Sequence, residues 1–329
     1  MRICVFGAGA VGGHLAVRLR RVGHDVSVIA RGDNLAAIRS RGITLHVGEK
    51  TLHAEVTASD RSADLGAQDV VISTLKANAL AGLASEVGPL LGPETAVVFA
   101  QNGIPWWYDI GLSSSRPRPP DLSRLDEDGM LRRAIDPARV IGAVISSSNE
   151  ALTPGVIVNT SPRRNMLHIG EPDDANSDRI IRLRAMLMEA DIESPPVADI
   201  RQAIWRKLVI NMTCSILCLL TGHKATVVRD DPRLGDWFMR LAGEAVMIAH
   251  AHDIDLSDFN PAEFRRAPPD HLPSIRQDFE RGKSLELESM LVTPVAFGKA
   301  AGVDTPGLDG VVALAVRMGI DRGLYIAVQ

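Results

Sequence analysis

The sequence predicts an α/β protein of two domains, a doubly wound parallel sheet followed by an all-α domain. Three observations predict it. A short apolar strand runs directly into a Gly-x-Gly-x-x-Gly turn. Strand-like apolar runs then alternate with other elements through the first half. Beyond Ser194-Pro195-Pro196 only helical periodicity remains. A length of 329 residues suits about two domains, and 46% hydrophobic content supports a large core.

Ile3-Cys4-Val5-Phe6 reads as the first buried strand, and Gly7-Ala8-Gly9-Ala10-Val11-Gly12 follows it at once. Gly7 permits a tight turn, Gly9 lets backbone approach a pyrophosphate, and Gly12 lets helix and strand pack closely. A helix from there to Gly23 would turn its unpaired N-terminal amides toward the phosphates. Val26-Ser27-Val28-Ile29-Ala30 is the next strand. This strand, turn, helix, strand order is the Rossmann-type setting that makes Gly7, Ala8, Gly9, Ala10, Val11 and Gly12 candidate cofactor-binding residues. An acid at the end of the second strand would bond the ribose hydroxyls of NAD. Arg31 stands there instead and suits a 2′-phosphate, so NADP(H) is the expected cofactor, with Asp33 as a competing ribose partner.

Ile43–Val47 and Leu52–Val56 read as a hairpin around Gly48. Val70–Leu75 is a buried strand ending at Lys76, and Thr95–Ala100 is another ending at Gln101-Asn102-Gly103. Ligands of open α/β sheets collect at such carboxyl ends, which makes Lys76 and Asn102 candidate site residues. Residues 104–138 look like an elaboration. Within it Trp106-Trp107-Tyr108 is either a lid or a small core, and Arg116-Pro117-Arg118-Pro119-Pro120 is a stiff extended run. Val140–Ile145, Gly155–Val158 and Met166–Ile169 resume strand character, followed by a helix over Ile180–Ala190. The expected domains are 1–196 and 197–329.

The second domain opens on a long helix from Ile200 to about Leu220, with an almost wholly apolar centre. Lys207, Asn211 and Ser215 fall at i, i+4 and i+8, one slowly turning stripe of an unbroken helix. A lysine can deliver a proton, and an asparagine one turn on offers a donor and an acceptor, groups that suit carbonyl reduction beside a hydride donor. Gly235–Ala251 is an amphipathic helix. Pro268-Pro269 punctuates the chain, Ser274-Ile275-Arg276-Gln277-Asp278 opens a polar helix toward Gly282, and a last helix follows the loop Gly302–Pro306.

Composition narrows the function classes. The net charge of −4 offers no basic field for nucleic acid, and 4% aromatic content argues against base-stacking surfaces. No 18-residue apolar run is evident, so no membrane partner is expected. Cys4, Cys214 and Cys218 form no disulfide framework, which suits a cytoplasmic location. The last two read as packing thiols rather than a metal site, and no metal is expected.

These motifs resemble the ketopantoate reductase (2-dehydropantoate 2-reductase) family over nearly the whole chain, residues 104–138 excepted. The specific parts are Lys76 in Thr-Leu-Lys, Gln-Asn-Gly at Asn102, and Ile204-Trp205-Arg206-Lys207-Leu208. The resemblance implies that Lys207 is the catalytic lysine, Asn211 a substrate-side asparagine, Asn102 a neighbour of nicotinamide and substrate, Ser274 a substrate-contacting serine and Glu286 the essential glutamate. It also implies NADPH-dependent reduction of a small 2-oxo acid to a 2-hydroxy acid, in a cleft between the domains; a homodimer is left open as the assembly. Two departures stand out. Ser215 occupies the place of a second asparagine, and Glu286-Leu287-Glu288-Ser289-Met290-Leu291-Val292 lacks the family's Asn-Gly. Both put ketopantoate itself in question. Ser274 and Glu286 lie twelve residues apart, about 18 Å along a straight helix, so a break at Gly282 is required if both touch one small acid. The rival readings are another two-domain dehydrogenase, of opine or 3-hydroxy acid type, and a non-catalytic NADP(H) sensor.

Overall fold

A computed structural model describes residues 1–261, 263 and 272–326. The expected Pro268-Pro269 punctuation lies outside these residues. Backbone contacts divide the chain into two units, residues 1–101 with 126–200, and residues 102–125 with 201–329.

In the first unit the strands and helices run β1 (Arg2–Phe6), α1 (Ala10–Arg21), β2 (Asp25–Ile29), α2 (Gly32–Arg41), β3 (Ile43–Val47), β4 (Lys50–Ala54), β5 (Thr57–Ser59), β6 (Gln68–Ser73), α3 (Ala81–Glu86), β7 (Leu91–Ala100), α4 (Met130–Ala134), β8 (Val140–Ile145), β9 (Asn149–Thr153), β10 (Val156–Asn159), β11 (Leu167–Gly170) and α5 (Asp178–Glu189). Seven strands form one sheet in the order β11-β8-β7-β6-β1-β2-β5. All its pairings are parallel except β11 with β8. The order reverses between β2 and β6 on either side of β1, which is the switch point of a doubly wound sheet, where ligands bind at the strands' carboxyl ends. The expected hairpin is present as β3 and β4 with Val47 opposite Lys50, and β10 adds to it in parallel to give a second sheet, β4-β3-β10-β9. Helix α1 packs against strands of both sheets. Its Gly13 has no room for a side chain, since a Cβ there would come within 2.8 Å of Ile157.

The second unit holds α6 (Ile200–Ile210, whose first residue closes the first unit), α7 (Ile216–Thr221), α8 (Ala225–Asp230), α9 (Pro232–Ala251), α10 (Ser274–Glu280), α11 (Thr293–Ala300) and α12 (Pro306–Asp321). Two five-residue π turns interrupt it, Asn211–Ser215 between α6 and α7, and Glu288–Val292 ahead of α11. The span Ile200–Thr221 is long and apolar enough, by length and composition, to cross a membrane, but Arg206 and Lys207 interrupt it, so it is not an unbroken apolar run; 61% of its most apolar window is buried inside the protein.

The segment 102–125, which the sequence groups with the first domain, makes its contacts in the second unit. The reason is its aromatics. Trp106, Trp107 and Tyr108 are at most 2% exposed. Tyr108 meets Phe297 edge to face at 5.0 Å, and Trp205 meets the same ring at 5.6 Å. Arg201, almost fully buried, donates from Nε and Nη2 to the Tyr108 carbonyl at 2.9 and 2.8 Å, and from Nη2 to the Ile110 carbonyl at 2.7 Å. Of the two readings open for this aromatic run, it is a core and not a lid.

Candidate active site

The glycine turn lies at the carboxyl end of β1. Gly7 takes φ +102°, a left-handed conformation that favours glycine, and its N–H and that of Ala8 both donate to the Ile29 carbonyl, at 3.1 and 3.2 Å. A Cβ on Gly12 would lie 2.0 Å from the Gly7 oxygen, so only glycine lets α1 start this close to β1. The Thr74 hydroxyl, at the end of β6, donates to that same Gly7 oxygen at 2.6 Å. Asn34 steadies the turn from α2, donating to the Ala8 carbonyl at 2.8 Å. A Cβ on Gly9 would meet no atom within 4 Å, and Gly9 starts α1 with no side-chain cap and no acid in its first turn. Open space before uncapped helix amides is what a pyrophosphate needs, so these residues fit a dinucleotide. Ala10 and Val11 begin α1.

Arg31 caps α2 just beyond β2 and is exposed; its guanidinium lies 3.7 Å from where Gly82 would carry a Cβ. Asp33 is exposed in the first turn of α2. Lys76 is half-buried just past β6, beside Thr74 in the chain. The first unit thus gathers the glycine turn, Arg31 and Lys76 at the carboxyl ends of β1, β2 and β6.

The second unit gathers the other candidates around its two π turns, which pack on one another. Lys207 is half-buried near the end of α6, and Asn211 begins the first π turn one helical turn later. The Asn211 Nδ2 is buried and has no hydrogen-bond partner among the described residues. Ser215 is the last residue of that π turn. A π turn holds one residue more than an α turn, which rotates everything downstream by about 100° relative to an unbroken helix. Ser215 is buried, at 6% exposure. Glu286 is equally buried, just ahead of the second π turn, and its carbonyl accepts from the Met290 N–H at 3.1 Å. Ser274 is exposed at the first position of α10, which packs against the first π turn and α7. The chain between Ser274 and Glu286 is broken at Gly282, φ +61°, as the spacing requires.

Asn102 joins this group through its neighbours. A Cβ on Gly103, φ +81°, would lie 2.5 Å from the carbonyl carbon and oxygen of Ser289, and the Ile104 N–H donates to that oxygen at 2.8 Å. The Ser289 carbonyl is available for a helical reason. The Thr293 N–H is taken by the Glu288 carbonyl, and the next residue is Pro294, which has no N–H to give. The Asn102 Oδ1 is buried without a hydrogen-bond partner among the described residues, like the Asn211 Nδ2. An acceptor and a donor left unsatisfied in this way cost about 1–3 kcal/mol each unless a ligand completes them. Sequence reasoning missed Ser289 and Glu288 as structural partners here; Pro294 five residues after Ser289 was the available signal.

Cys214 and Cys218 share a side-chain hydrogen bond that lowers the Cys214 thiol, as packing thiols one turn apart can. Among the described residues no group of three or more His, Cys, Asp or Glu is placed to hold a metal.

Comparison with known proteins gives this arrangement a family. The family described as ketopantoate reductase PanE/ApbA matches residues 3–109, and its C-terminal counterpart matches residues 199–318. The chain belongs to the ketopantoate reductase family. A 2-dehydropantoate 2-reductase of Mesorhizobium japonicum is 34% identical over 99% of this chain and 100% of its own. A solved structure from Ralstonia solanacearum, described as a ketopantoate reductase, superposes with a TM-score of 0.89 at 33% identity, covering 98% of this chain and 99% of that one. The fold is also that of a D-mandelate dehydrogenase solved with NADH and anilino(oxo)acetate, at 17% identity, TM-score 0.83 and 99% and 100% coverage. The protein is accordingly an oxidoreductase of the ketopantoate reductase family, with the α/β and all-α parts that the sequence predicts.

Proposed function

We propose that the protein reduces a small 2-oxo acid to the 2-hydroxy acid with NADPH, in the cytoplasm. The observation that carries the reading is the pair of buried, unsatisfied amide atoms, Asn102 Oδ1 and Asn211 Nδ2, in the unit that also holds Lys207 and Glu286. Bound NADPH supplies a hydride to the C2 carbonyl carbon. Lys207 stabilises the developing alkoxide and delivers the proton to its oxygen, so that one hydride and one proton convert C=O to CH–OH. Asn211 and Glu286 hold the lysine and the acid. Asn102 orients the carbonyl side, Ser274 serves the acid end, and buried Ser215 supports the wall. The glycine turn Gly7–Gly12 takes the pyrophosphate. Lys76 serves the cofactor at the end of β6, and Arg31 takes the 2′-phosphate, for which its planar cation is suited. Three free thiols agree with the cytoplasm, and a homodimer is left open as the assembly.

Met290 and Leu291 are buried apolar residues in the stretch where family members carry an Asn-Gly, so ketopantoate is expected to be a mediocre substrate. A panel of 2-oxo acids, followed by loss of NADPH absorbance, tests both points. No turnover of any 2-oxo acid would remove the proposal. A kcat/KM of about 10⁵ M⁻¹s⁻¹ or more with ketopantoate, within the usual enzyme range, would restore the family's own substrate.

A further inference from the structure

We propose that Glu288 is a positioning residue, which acts through Tyr325 and Arg124 to fix the Ser289 carbonyl and thereby the Asn102 turn. The inference rests on the reading of Asn102 as a substrate-side group and deepens it.

The chain of contacts is continuous. Asn102 is followed by Gly103, which touches Ser289 with no space for a methyl group, and by Ile104, whose N–H is bonded to the Ser289 carbonyl. A shift of Ser289 therefore shifts Asn102. Glu288 is the residue before Ser289, and both its carboxylate oxygens are engaged. Oε2 accepts from the Tyr325 hydroxyl at 2.6 Å and lies 3.9 Å from the Arg124 guanidinium. Oε1 accepts from the Thr293 hydroxyl at 3.1 Å. The short bond from Tyr325 has the length of a charge-assisted O–H···O⁻ contact. Burial and the Glu288 carboxylate both push the Tyr325 phenol up, so it stays a donor across the neutral range. The same C-terminal stretch grips the other end of the segment, where the Leu285 N–H donates to the Leu324 carbonyl at 2.8 Å.

Leu285 to Ser289 is therefore bracketed by Leu324 and Tyr325. That bracket contains Glu286, and the Ser289 hydroxyl donates to the Glu286 carbonyl at 3.5 Å. Arg124 closes the arrangement from the far end of the segment that begins at Asn102. One carboxylate thus ties together the C-terminal stretch, the π turn with Glu286 and the segment carrying Asn102. The Glu288 carboxylate is engaged by Tyr325, Thr293 and Arg124. Its effect is geometric, and displacement of an orienting group by about 1 Å can cost on the order of 10²-fold in rate.

Glu288→Gln, Glu288→Asp and Tyr325→Phe test this, each read by kcat and KM with the best 2-oxo acid and by hydrogen exchange at the Ile104 amide. Glu288→Gln and Tyr325→Phe should lower kcat about tenfold or more while KM changes less than about threefold, the signature of lost orientation rather than lost binding. Ile104 should exchange faster while distant helices keep their protection, and Glu288→Asp should restore much of both. Unchanged Ile104 exchange in the first two variants overturns the proposal. So does normal kcat despite faster exchange, or equal acceleration throughout the second unit, which a merely structural pair would give. Should the wild-type protein reduce no 2-oxo acid, the functional reading fails on that ground alone, and Ile104 exchange still decides whether Glu288 holds the turn.

Discussion

The indole N–H of Trp205 donates to the hydroxyl of Tyr108 at 2.9 Å, joining two buried residues that lie 97 positions apart. Trp205 is two residues before Lys207, on the same helix. Tyr108→Phe keeps the ring and its contact with Phe297 but leaves the indole N–H buried and unsatisfied. The expected loss is about 1–3 kcal/mol of stability, read as a drop in melting temperature of about 2–4 °C per kcal/mol. An unchanged melting temperature would show that the bond contributes nothing net.

Lys207→Ala is expected to lower kcat by at least about 10²-fold, the low end of what a general acid contributes. NADPH affinity, measured by fluorescence, should persist, because the glycine turn belongs to the other unit. Near-normal turnover would remove Lys207 from the chemistry.

Arg31→Ala is expected to reduce the preference for NADPH over NADH. The comparison is the ratio of kcat/KM for the two cofactors. An unchanged ratio would move the 2′-phosphate site elsewhere.

Gly12→Ala is expected to cost about 1–3 kcal/mol through overpacking, since the new methyl would collide with the Gly7 oxygen rather than with a flexible side chain. It should also weaken NADPH binding by moving the start of α1. Calorimetry of the folded variant would show this; wild-type affinity would mean that the turn tolerates the shift.

Acid should destabilise the first unit through His14. The imidazole is fully buried in α1, and its Nε2–H donates to the Asn165 Oδ1 at 2.8 Å. Burial first, and the nearby Arg18 charge second, pull it down to about 4 from 6.5. The unfolded chain therefore binds more protons between these values, so stability rises with pH across that window and falls as pH drops from 6.5 toward 4. A fall from 6.5 to about 4 corresponds to roughly 3 kcal/mol of stability lost on full acidification. Urea melts of the wild type and His14→Gln between pH 4 and pH 7 would check it. The wild-type slope should exceed that of the variant, and parallel slopes would contradict the assignment.

How much was legible in the sequence follows from how local each cause is. Gly7, Gly9 and Gly12 could be read because their roles depend on a strand and helix within one stretch of chain. Lys76 and Asn102 could be placed because strand ends mark the ligand side of such a sheet. The π turn at Asn211–Ser215 is not legible in the sequence, because periodicity assumes an unbroken helix and a π turn leaves apolar patterning intact while rotating the register. The clasp of Gly103 on Ser289 joins residues far apart in sequence, and no local propensity announces it. The sequence leaves Trp106, Trp107 and Tyr108 open as lid or core, because an apolar cluster alone does not say what it packs against; Phe297 and Trp205 are what it packs against.

The order in which the chain visits its two units has a consequence for biosynthesis. Trp106, Trp107 and Tyr108 leave the ribosome before residues 126–200 return to complete the first unit, and well before Arg201, Trp205 and Phe297 exist. At about 5–20 residues per second, the nascent protein carries three unshielded aromatic rings for several seconds or more. Shielding of the aromatic run must await the translation of α11, which supplies Phe297.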